Sequence, residues 1–317
     1  MKVLITRPMT AAVEERARAA FAELEIRENT AVLSEAEMLR ALAEFDVVVP
    51  TLGDAFSAEV FAKAGDLRCK LLANFGVGYN HIDVGAASAA GIAVTNTPGA
   101  VTDATADIAL TLILMTARRA GEGERLVRAG KWQGWHPTQM LGQHVTGKRV
   151  GIAGMGRIGQ AIARRCHFGF GMEVSYVARS AKELDFPADR ADSVLALAAE
   201  VDFLVAAVPG GAETRHMINA DVLAAMQPHA HLINIARGEV VEEAALISAL
   251  QDGRIGGAGL DVYEFEPKVP QALTKLENVT LLPHLGTATE EVRSNMGHMA
   301  LDNVEAFIAG AALPNPV

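Results

Sequence analysis

Residues 148–159, KRVGIAGMGRIG, constrain the fold of this chain more than any other stretch. A short apolar strand pattern is followed by three glycines at the spacing G-x-G-x-x-G, and a helical pattern then begins. In such a turn Gly154 allows the tight bend, Gly156 lets the backbone approach a pyrophosphate, and Gly159 lets helix and strand pack closely. The helix N-terminus adds free N–H groups and the positive end of the helix dipole. The stretch therefore predicts a strand, turn and helix that bind a dinucleotide.

The position of this stretch adds a second constraint. It starts near the middle of the 317-residue chain, so we expect a separate domain before it. A long helical pattern at 289–308 follows the last strand-like run and is expected to pack back on the earlier domain. The sequence thus predicts a discontinuous substrate domain at 1–98 and 286–317, and a dinucleotide-binding domain at 99–285. Because such sheets bind ligands at the carboxyl ends of their strands, the expected site is an interdomain cleft.

Strand-like apolar runs alternate with helical patterns along the whole chain, which predicts α/β domains with doubly wound parallel sheets. The second part contains six such runs, a number that suits a complete dinucleotide-binding sheet. The runs of the first part are Val3–Thr6, Val47–Pro50, Leu71–Phe75 and Ala93–Asn96, separated by helical stretches at Ala11–Leu24, Glu35–Ala43, Ala58–Ala64 and Val84–Ala90. The runs of the second part are Arg149–Ala153, Glu173–Val177, Phe203–Val208, His231–Ile235, Gly257–Asp261 and Val279–Leu282.

Composition excludes several classes of protein. Half of the residues are apolar and 21% are charged, as in a folded globular chain. The net charge of −10 argues against a nucleic-acid partner, since phosphate backbones are bound by basic patches. The longest apolar stretch, Ile108–Ala117, is too short to span a membrane, and Cys69 and Cys166 form neither a disulfide framework nor a metal-binding spacing. We therefore expect a cytoplasmic protein without a metal.

The end of the second strand of the dinucleotide domain bears on the choice of cofactor. Ala178, Arg179 and Ser180 stand there, where an NAD-specific site usually has an acidic residue that binds the ribose 2′-hydroxyl. A guanidinium can donate two parallel hydrogen bonds to a phosphate. The segment therefore favours NADPH, with NAD as the alternative if Arg179 is only a solvated surface residue.

Three polar residues follow later strands of the same domain: Arg237 in HLINIARGE, Glu266 in GLDVYEFEP and His284 in LLPHLG. A guanidinium binds carboxylates, a histidine exchanges protons near neutral pH, and a carboxylate can orient that histidine. Each residue alone has an ordinary interpretation as a surface cation, a solvated turn or a loop histidine. Their joint placement at the carboxyl ends of strands favours a catalytic site.

The chain resembles the D-isomer-specific 2-hydroxyacid dehydrogenase family over essentially its whole length. Within that family, residues 132–152 most resemble the glyoxylate/hydroxypyruvate reductase branch, which commonly uses NADPH. The resemblance implies a flavodoxin-like substrate domain and a Rossmann dinucleotide-binding domain. The matching segments are NFGVGYNHID (74–83), TADIAL (105–110), GMGRIG (154–159), NIARGEVV (234–241), GLDVYEFEP (259–267) and PHLGTAT (283–289).

The resemblance also implies a role for each residue at the strand ends. Arg237 would bind the substrate carboxylate and help to polarise the keto group. His284 would give its proton to the carbonyl oxygen as hydride arrives from the nicotinamide. Glu266 would accept a hydrogen bond from His284 and keep that histidine protonated.

Further residues are implied to bind the substrate. The backbone N–H groups of Val77 and Gly78 would bind the same carboxylate, and Leu52 would line the pocket. In the reductase branch a tryptophan at the position of Trp135 reaches into the active site of the partner subunit, which implies a homodimer formed through the dinucleotide domain. The other interpretation of Trp135 is a half-exposed loop aromatic.

The resemblance implies that Thr105 lies near the phosphates of the cofactor and Asp261 near its carboxamide. The full set of residues expected to contact the dinucleotide is Thr105, Gly154, Met155, Gly156, Arg157, Ile158, Gly159, Ala178, Arg179, Ser180, Val208, Pro209, Thr214, Ile235, Ala236, Asp261, His284 and Gly286.

The sequence thus predicts an NADPH-dependent reductase that converts small 2-keto acids, such as glyoxylate and hydroxypyruvate, to D-2-hydroxy acids. One alternative is a D-2-hydroxyacid dehydrogenase for bulkier keto acids. Another, of a different class, is an NAD(P)-sensing protein like the corepressors of the same family. The presence of Arg237, Glu266 and His284 together argues against a protein that only senses the nucleotide.

Overall fold

The computed structural model describes all 317 residues and divides into two compact units. The first unit comprises Met1–Val101 and Ala288–Val317, and the second comprises Thr102–Thr287. Each unit contains one sheet in which every strand pair is parallel. The prediction of two α/β units with doubly wound parallel sheets is therefore confirmed.

The first unit has five strands in the order 2-1-3-4-5, the flavodoxin-like arrangement. Its helix starts have local causes. Ser34 and Glu37, for example, form a reciprocal capping box at the start of the second helix. The strands are β1 (Lys2–Ile5), β2 (Glu23–Ile26), β3 (Val47–Val49), β4 (Leu71–Ala73) and β5 (Ala93–Thr95), and the helices are α1 (Ala11–Ala20), α2 (Glu35–Glu44), α3 (Ala58–Lys63) and α4 (Val84–Ala89).

Strand β2 was not predicted, because the helical pattern that starts at Ala11 was expected to continue to Leu24. In the structure α1 ends at Ala20, and Phe21 has extended backbone angles with its side chain buried in the core. The four residues of β2, ELEI, alternate charged and apolar side chains and pair only with β1 at the edge of the sheet. Such a short edge strand continues the polar pattern of the helix before it, so periodicity alone did not separate the two.

The second unit has seven strands in the order 12-11-10-9-6-7-8, which is a complete dinucleotide-binding sheet with one additional strand. The additional strand is the last one along the chain, and the short, mostly exposed β8 at the other edge has no counterpart among the six strand-like runs of the sequence. The strands are β6 (Arg149–Ala153), β7 (Glu173–Val177), β8 (Ala188–Arg190), β9 (Phe203–Ala206), β10 (His231–Asn234), β11 (Gly257–Leu260) and β12 (Val279–Leu281). The helices are α5 (Thr102–Ala117), α6 (Ala120–Arg128), α7 (Arg157–Arg164), α8 (Val194–Glu200), α9 (Ala220–Ala225), α10 (Glu243–Gln251) and α11 (Gln271–Thr274), with a π-helical turn at Arg165–Gly169 and a 3₁₀ turn at Gly238–Val240.

The central strand β9 shows how this sheet is buried on both faces. Its four side chains are all buried, and they alternate between two separate hydrophobic cores. Phe203 and Val205 belong to the core that also contains α5, whereas Leu204 and Ala206 belong to the core on the opposite face. Continuous apolar strands are therefore required here, as expected for a parallel sheet covered by helices on both faces.

The last helix, α12 (Glu290–Ile308), belongs to the first unit. Thr289 caps it, since its hydroxyl accepts a hydrogen bond from the N–H of Val292 at 3.2 Å. Leu301 and Val304 are buried in the core beneath α1, and a side chain at Gly297 would collide with Val13. None of the helices combines the length and the apolarity needed to cross a membrane.

Candidate active site

The glycine-rich turn lies between β6 and α7. Gly154 has a φ of 106°, and its N–H donates to the carbonyl of Val177 at 2.9 Å. A side chain at Gly154 would come within 2.6 Å of the carbonyl oxygen of Ala207, and one at Gly159 would collide with the carbonyl of Gly154. The turn is therefore compatible only with glycine at both positions, because backbone atoms cannot move aside as side chains can.

The middle glycine differs from its two neighbours. A side chain at Gly156 would meet no atom of the protein within 4 Å, and no side chain caps the N-terminus of α7 that starts there. Space and free N–H groups thus coincide at a helix N-terminus, where an anion is stabilised by hydrogen bonds and by the helix dipole. The residues present fit the pyrophosphate of a dinucleotide.

Cationic side chains cluster after β7. Arg179 is exposed and forms no hydrogen bond or ion pair, and Ser180 Oγ accepts a hydrogen bond from Lys182 Nζ at 3.2 Å. The carbonyl of Ala178 accepts hydrogen bonds from the guanidinium of Arg190 at 3.0 and 3.3 Å. Arg179 was predicted from the sequence, but Lys182 and Arg190 were not. The contact of Lys182 with Ser180 depends on the turn after β7, and the contact of Arg190 with Ala178 depends on the edge strand β8.

The other expected cofactor residues follow the carboxyl ends of strands in the seven-stranded sheet, as the glycine turn does. Strand β9 lies between β6 and β10, so the segments after these three strands are neighbours. Two hydrogen bonds stabilise the segments after β9 and β10. Thr214 Oγ1 donates to the carbonyl of Pro209 at 2.6 Å, and the N–H of Ala236 donates to Asn234 Oδ1 at 3.0 Å. The residues found at these strand ends are Val208, Pro209, Thr214, Ile235 and Ala236, beside Met155, Arg157 and Ile158 of the glycine turn.

The structure brings His284 and Glu266 together. Nδ1 of His284 lies 2.9 Å from Oε2 of Glu266, and the other carboxylate oxygen accepts a hydrogen bond from the N–H of Tyr263 at 3.0 Å. Both oxygens of Glu266 are therefore engaged, which holds the carboxylate in one orientation towards the imidazole. Sequence reasoning did not find Tyr263, whose phenol also donates to the carbonyl of Leu282 at 2.9 Å and so ties the two loops together.

The charge state of Glu266 follows from these neighbours. Burial acts to raise the pKa of its carboxyl, but the hydrogen bond with His284, the N–H of Tyr263 and the charge of Arg237 outweigh burial and hold the pKa below its ordinary value. Burial lowers the pKa of the Arg237 guanidinium, against the opposing effect of Glu266 and Glu239. An arginine nevertheless stays protonated in proteins. Arg237 and Glu266 are thus a cation and an anion close enough to interact.

Asp261 fixes the segment that carries His284. Its carboxylate oxygens accept hydrogen bonds from the N–H groups of Leu285 at 2.6 Å and Gly286 at 2.8 Å, and its carbonyl accepts one from the N–H of His284 at 2.9 Å. His284 itself has a left-handed backbone with a φ of 55°, an unfavourable conformation that these three bonds stabilise. The hydroxyl of Thr105 donates to the carbonyl of Gly286 at 3.2 Å and closes the same turn.

The expected substrate residues of the first unit follow neighbouring strands. Leu52 comes after β3 with 37% of its surface exposed, and Val77 and Gly78 come after β4. These two strands pair with each other, so the residues lie at one edge of the first sheet. Trp135, in the second unit, lies in the connection between α6 and β6 and is 80% exposed.

Comparisons with known proteins agree with this architecture. Residues 110–286 match the family model described as the NAD-binding domain of D-isomer specific 2-hydroxyacid dehydrogenases. The chain is 43% identical to a glyoxylate reductase of Thermococcus onnurineus, covering 100% of this chain and 95% of the relative, and 35% identical to a glycerate dehydrogenase of Hyphomicrobium methylovorum, covering 98% and 97%. A crystal structure of an NADPH-dependent glyoxylate/hydroxypyruvate reductase from Sinorhizobium meliloti, in complex with NADP and malonate, matches with a TM-score of 0.88 and 37% identity over 100% of this chain and 96% of that one.

The two parallel sheets, the dinucleotide turn and the strand-end site define an oxidoreductase that uses a nicotinamide dinucleotide. The chain belongs to the D-isomer specific 2-hydroxyacid dehydrogenase family. The family resemblance described from the sequence is therefore confirmed.

Proposed function

We propose that the protein reduces small 2-keto acids, with glyoxylate and hydroxypyruvate as substrates, to D-2-hydroxy acids at the expense of NADPH. The observation that carries the proposal is the contact of 2.9 Å between His284 and Glu266, with the cation of Arg237 close to the carboxylate. The glyoxylate reductases among the relatives support this substrate class.

The three residues divide the work of reducing a keto group. Arg237 binds the carboxylate of the keto acid and draws electron density from the adjacent carbonyl. The dinucleotide, when bound, supplies the hydride that the carbonyl carbon accepts. His284 uses Nδ1 for Glu266, so Nε2 is the nitrogen that gives a proton to the carbonyl oxygen as the hydroxyl forms. Glu266 stabilises the imidazolium before the transfer and orients its ring.

Residues of the first unit complete the proposed binding of substrate. The N–H groups of Val77 and Gly78 donate to the substrate carboxylate, and Leu52 lines the pocket beside the keto acid. The unit formed by the two chain ends accordingly serves as the substrate domain, and the unit that contains the glycine turn serves as the dinucleotide-binding domain. Thr105 and the other expected cofactor residues bind the dinucleotide, with the carboxamide of the nicotinamide near Asp261.

NADPH is the proposed cofactor because Arg179, Ser180 and Lys182 follow the second strand of the dinucleotide sheet and no acidic residue takes the place of Ala178. The exposed guanidinium of Arg179 has no partner in the protein, so it is available to a 2′-phosphate. The test compares kcat/KM for NADPH and NADH before and after Arg179→Ala. The wild type should prefer NADPH and the variant should lose most of that preference; the same preference in both proteins would exclude this role.

We also propose a homodimer formed through the dinucleotide-binding unit, located in the cytoplasm. Trp132, Trp135 and Leu141, all in the connection between α6 and β6, are 54%, 80% and 67% exposed. Several exposed apolar side chains in one segment are typical of an interface, and insertion of Trp135 into a partner subunit would cover the indole. The two cysteines are free and buried, in keeping with a reducing compartment. Light scattering measures the mass, and Trp135→Ala should change the relative KM values of glyoxylate and larger keto acids if the indole reaches a neighbouring active site.

One panel of assays tests the function as a whole. Initial rates are measured for glyoxylate, hydroxypyruvate and phenylpyruvate, each with NADPH and NADH. We expect the highest kcat/KM for the two small substrates with NADPH. A preference for phenylpyruvate would identify a dehydrogenase of bulkier substrates, and tight NADPH binding without turnover of any keto acid would identify a nucleotide sensor.

A further inference from the structure

The turn at residues 76–78, which follows β4 in the first unit, has all three of its carbonyl groups bound by side-chain amides, and the carbonyl of Gly76 also accepts a hydrogen bond from the N–H of Thr97 at 3.1 Å. Nδ2 of Asn74 donates to the carbonyl oxygens of Gly76 and Gly78, each at 3.0 Å. Nδ2 of Asn96 donates to the carbonyl of Val77 at 2.9 Å. Two side-chain amides therefore fix three consecutive peptide groups.

The sheet places the two amides where the turn needs them. Asn74 directly follows β4, Asn96 directly follows β5, and these two strands pair with each other in parallel. Asn74 is fully buried and Asn96 is half-buried, so each side chain is held in place by its surroundings.

The bonds to the carbonyls determine where the N–H groups point. In a planar trans peptide the C=O of one residue and the N–H of the next are antiparallel. Because Asn74 holds the carbonyl of Gly76, the N–H of Val77 points away from that amide, and because Asn96 holds the carbonyl of Val77, the N–H of Gly78 does the same. Neither N–H donates a hydrogen bond within the first unit. Two adjacent N–H groups without acceptors form a site for an anion.

We propose that Asn74 and Asn96 are positioning residues for the substrate carboxylate, Asn74 acting through the N–H of Val77 and Asn96 through the N–H of Gly78. This assignment rests on the proposed function, in which the anion is the carboxylate of a 2-keto acid. It adds two residues that do not touch the substrate but determine how firmly its carboxylate is bound.

The chemistry of the side chain supports an amide at both positions. A carboxylate has no N–H to donate to the carbonyls and would add a negative charge beside an anion site. An aliphatic side chain would leave the carbonyls unpaired. Oδ1 of Asn74 is buried without a hydrogen-bond partner, which lowers stability; stability alone therefore does not explain an asparagine there.

The test uses Asn74→Asp and, independently, Asn96→Asp in the full-length protein. The measured quantities are KM for glyoxylate, KM for NADPH, and the inhibition constant of oxamate, a carboxylate that resembles a keto acid but is not reduced. Loss of a hydrogen bond to a charged group, added to charge repulsion, should raise KM for glyoxylate and the inhibition constant of oxamate about 10-fold or more. KM for NADPH should change less than about 2-fold, because the cofactor turn lies in the other unit. Asn96→Asp keeps the proposal testable if Asn74→Asp does not fold.

Asn303→Ala is the matched control for Asn74→Asp; it is not one for Asn96, whose N–H donates to the carbonyl of Asn315, a hydrogen-bond partner of Asn303. Asn303 is equally buried in the first unit, and its amide also donates to a carbonyl, that of Met299 at 2.8 Å, but it makes no hydrogen bond to the 76–78 turn. This variant should lower Tm while leaving KM for glyoxylate unchanged. The positioning role is wrong if the aspartate variants keep wild-type constants, or if the control raises KM equally, while the wild type reduces glyoxylate. A wild type that neither reduces glyoxylate nor binds oxamate would overturn the proposed function and the positioning role together.

Discussion

Nδ1 of His284 lies 2.9 Å from Oε2 of Glu266, a residue eighteen positions earlier in the chain. Two loops that follow neighbouring parallel strands meet in this contact. The N–H of Tyr263 donates to the carboxylate of Glu266 on one side, and the carboxylate of Asp261 accepts from the N–H of Leu285 on the other. The proton donor of the proposed reaction is therefore set by the fold, and its loss should affect catalysis far more than binding.

Replacement of His284 by Ala removes the proton donor. We expect kcat for glyoxylate reduction to fall by roughly 10²–10⁴-fold, the usual contribution of a positioned acid. The dissociation constant of NADPH, measured by fluorescence titration, should change much less, because the glycine turn is intact. A variant that keeps its kcat but loses NADPH affinity would mean that His284 is a cofactor ligand and that the donor lies elsewhere.

Replacement of Glu266 by Gln keeps the shape of the side chain but removes its charge. The pKa of Glu266 lies below its ordinary value, so the carboxylate is ionised at neutral pH, and the ion pair is lost only as pH falls through that lowered pKa. Without this charge the ring of His284 loses the ionised acceptor that orients it, so kcat/KM for glyoxylate should fall at neutral pH. The measurement is kcat/KM at pH 7 for both proteins, and equal values would contradict the proposed role of the pair.

Lys182 should contribute to cofactor choice alongside Arg179. Its ammonium group contacts Ser180 Oγ at 3.2 Å, and a lysine at this place attracts a phosphate as a point charge. We expect Lys182→Ala to raise KM for NADPH several-fold while KM for NADH stays the same. Lys63→Ala, which removes an exposed lysine of the first unit, is the control and should change neither constant. Equal effects on both cofactors would exclude recognition of the 2′-phosphate.

Features that depend on local sequence patterns could be predicted from the sequence, whereas features that depend on contacts between distant residues could not. The carboxyl ends of parallel strands share one edge, so strand patterns alone predicted that Arg237, Glu266 and His284 would follow strands of one sheet. Edge strands β2 and β8 were not predicted because each has only three or four residues, two of them charged, and pairs with a single neighbour. The proposed positioning role of Asn74 and Asn96 could not be predicted, because the hydrophobic pattern of a strand does not show which carbonyl a side-chain amide binds.

Replacement by Ala should have different effects at two glycines of the cofactor turn: it should weaken NADPH binding at Gly156 and lower Tm at Gly159. At Gly156 a methyl group meets no protein atom, so Gly156→Ala should keep the wild-type Tm but weaken NADPH binding by occupying the space next to the pyrophosphate. At Gly159 a methyl group collides with the carbonyl of Gly154. The helix propensity gained, at most about 1 kcal/mol, should be outweighed by a strain of roughly 1–3 kcal/mol, so Tm should fall. Calorimetry and NADPH titration of both variants separate the two effects, and a stable Gly159→Ala would refute the packing argument.

His231 makes the stability of the second unit depend on pH. Its ring is 8% exposed, stacks on Phe203 with ring centroids 5.5 Å apart, and burial lowers its pKa from 6.5 to about 4, with a smaller effect of His229. Well above pH 6.5 the ring is neutral in the folded and unfolded states, so it adds no pH dependence there. As pH falls towards 4 the unfolded chain binds a proton that the folded chain does not, and the free energy of unfolding should decrease by on the order of 3 kcal/mol.

Denaturant unfolding at pH 7.0 and pH 4.5 measures this loss. In His231→Gln the ring that takes up the proton is absent, so the difference in unfolding free energy between the two pH values should shrink, whatever the variant does to stability at pH 7.0. His144→Gln is the control, because His144 is exposed and its replacement should leave the difference unchanged. If His231→Gln retains the full wild-type difference, the acid sensitivity arises from other groups, such as the carboxylate of Asp202, which lies 2.8 Å from Nε2 of His229.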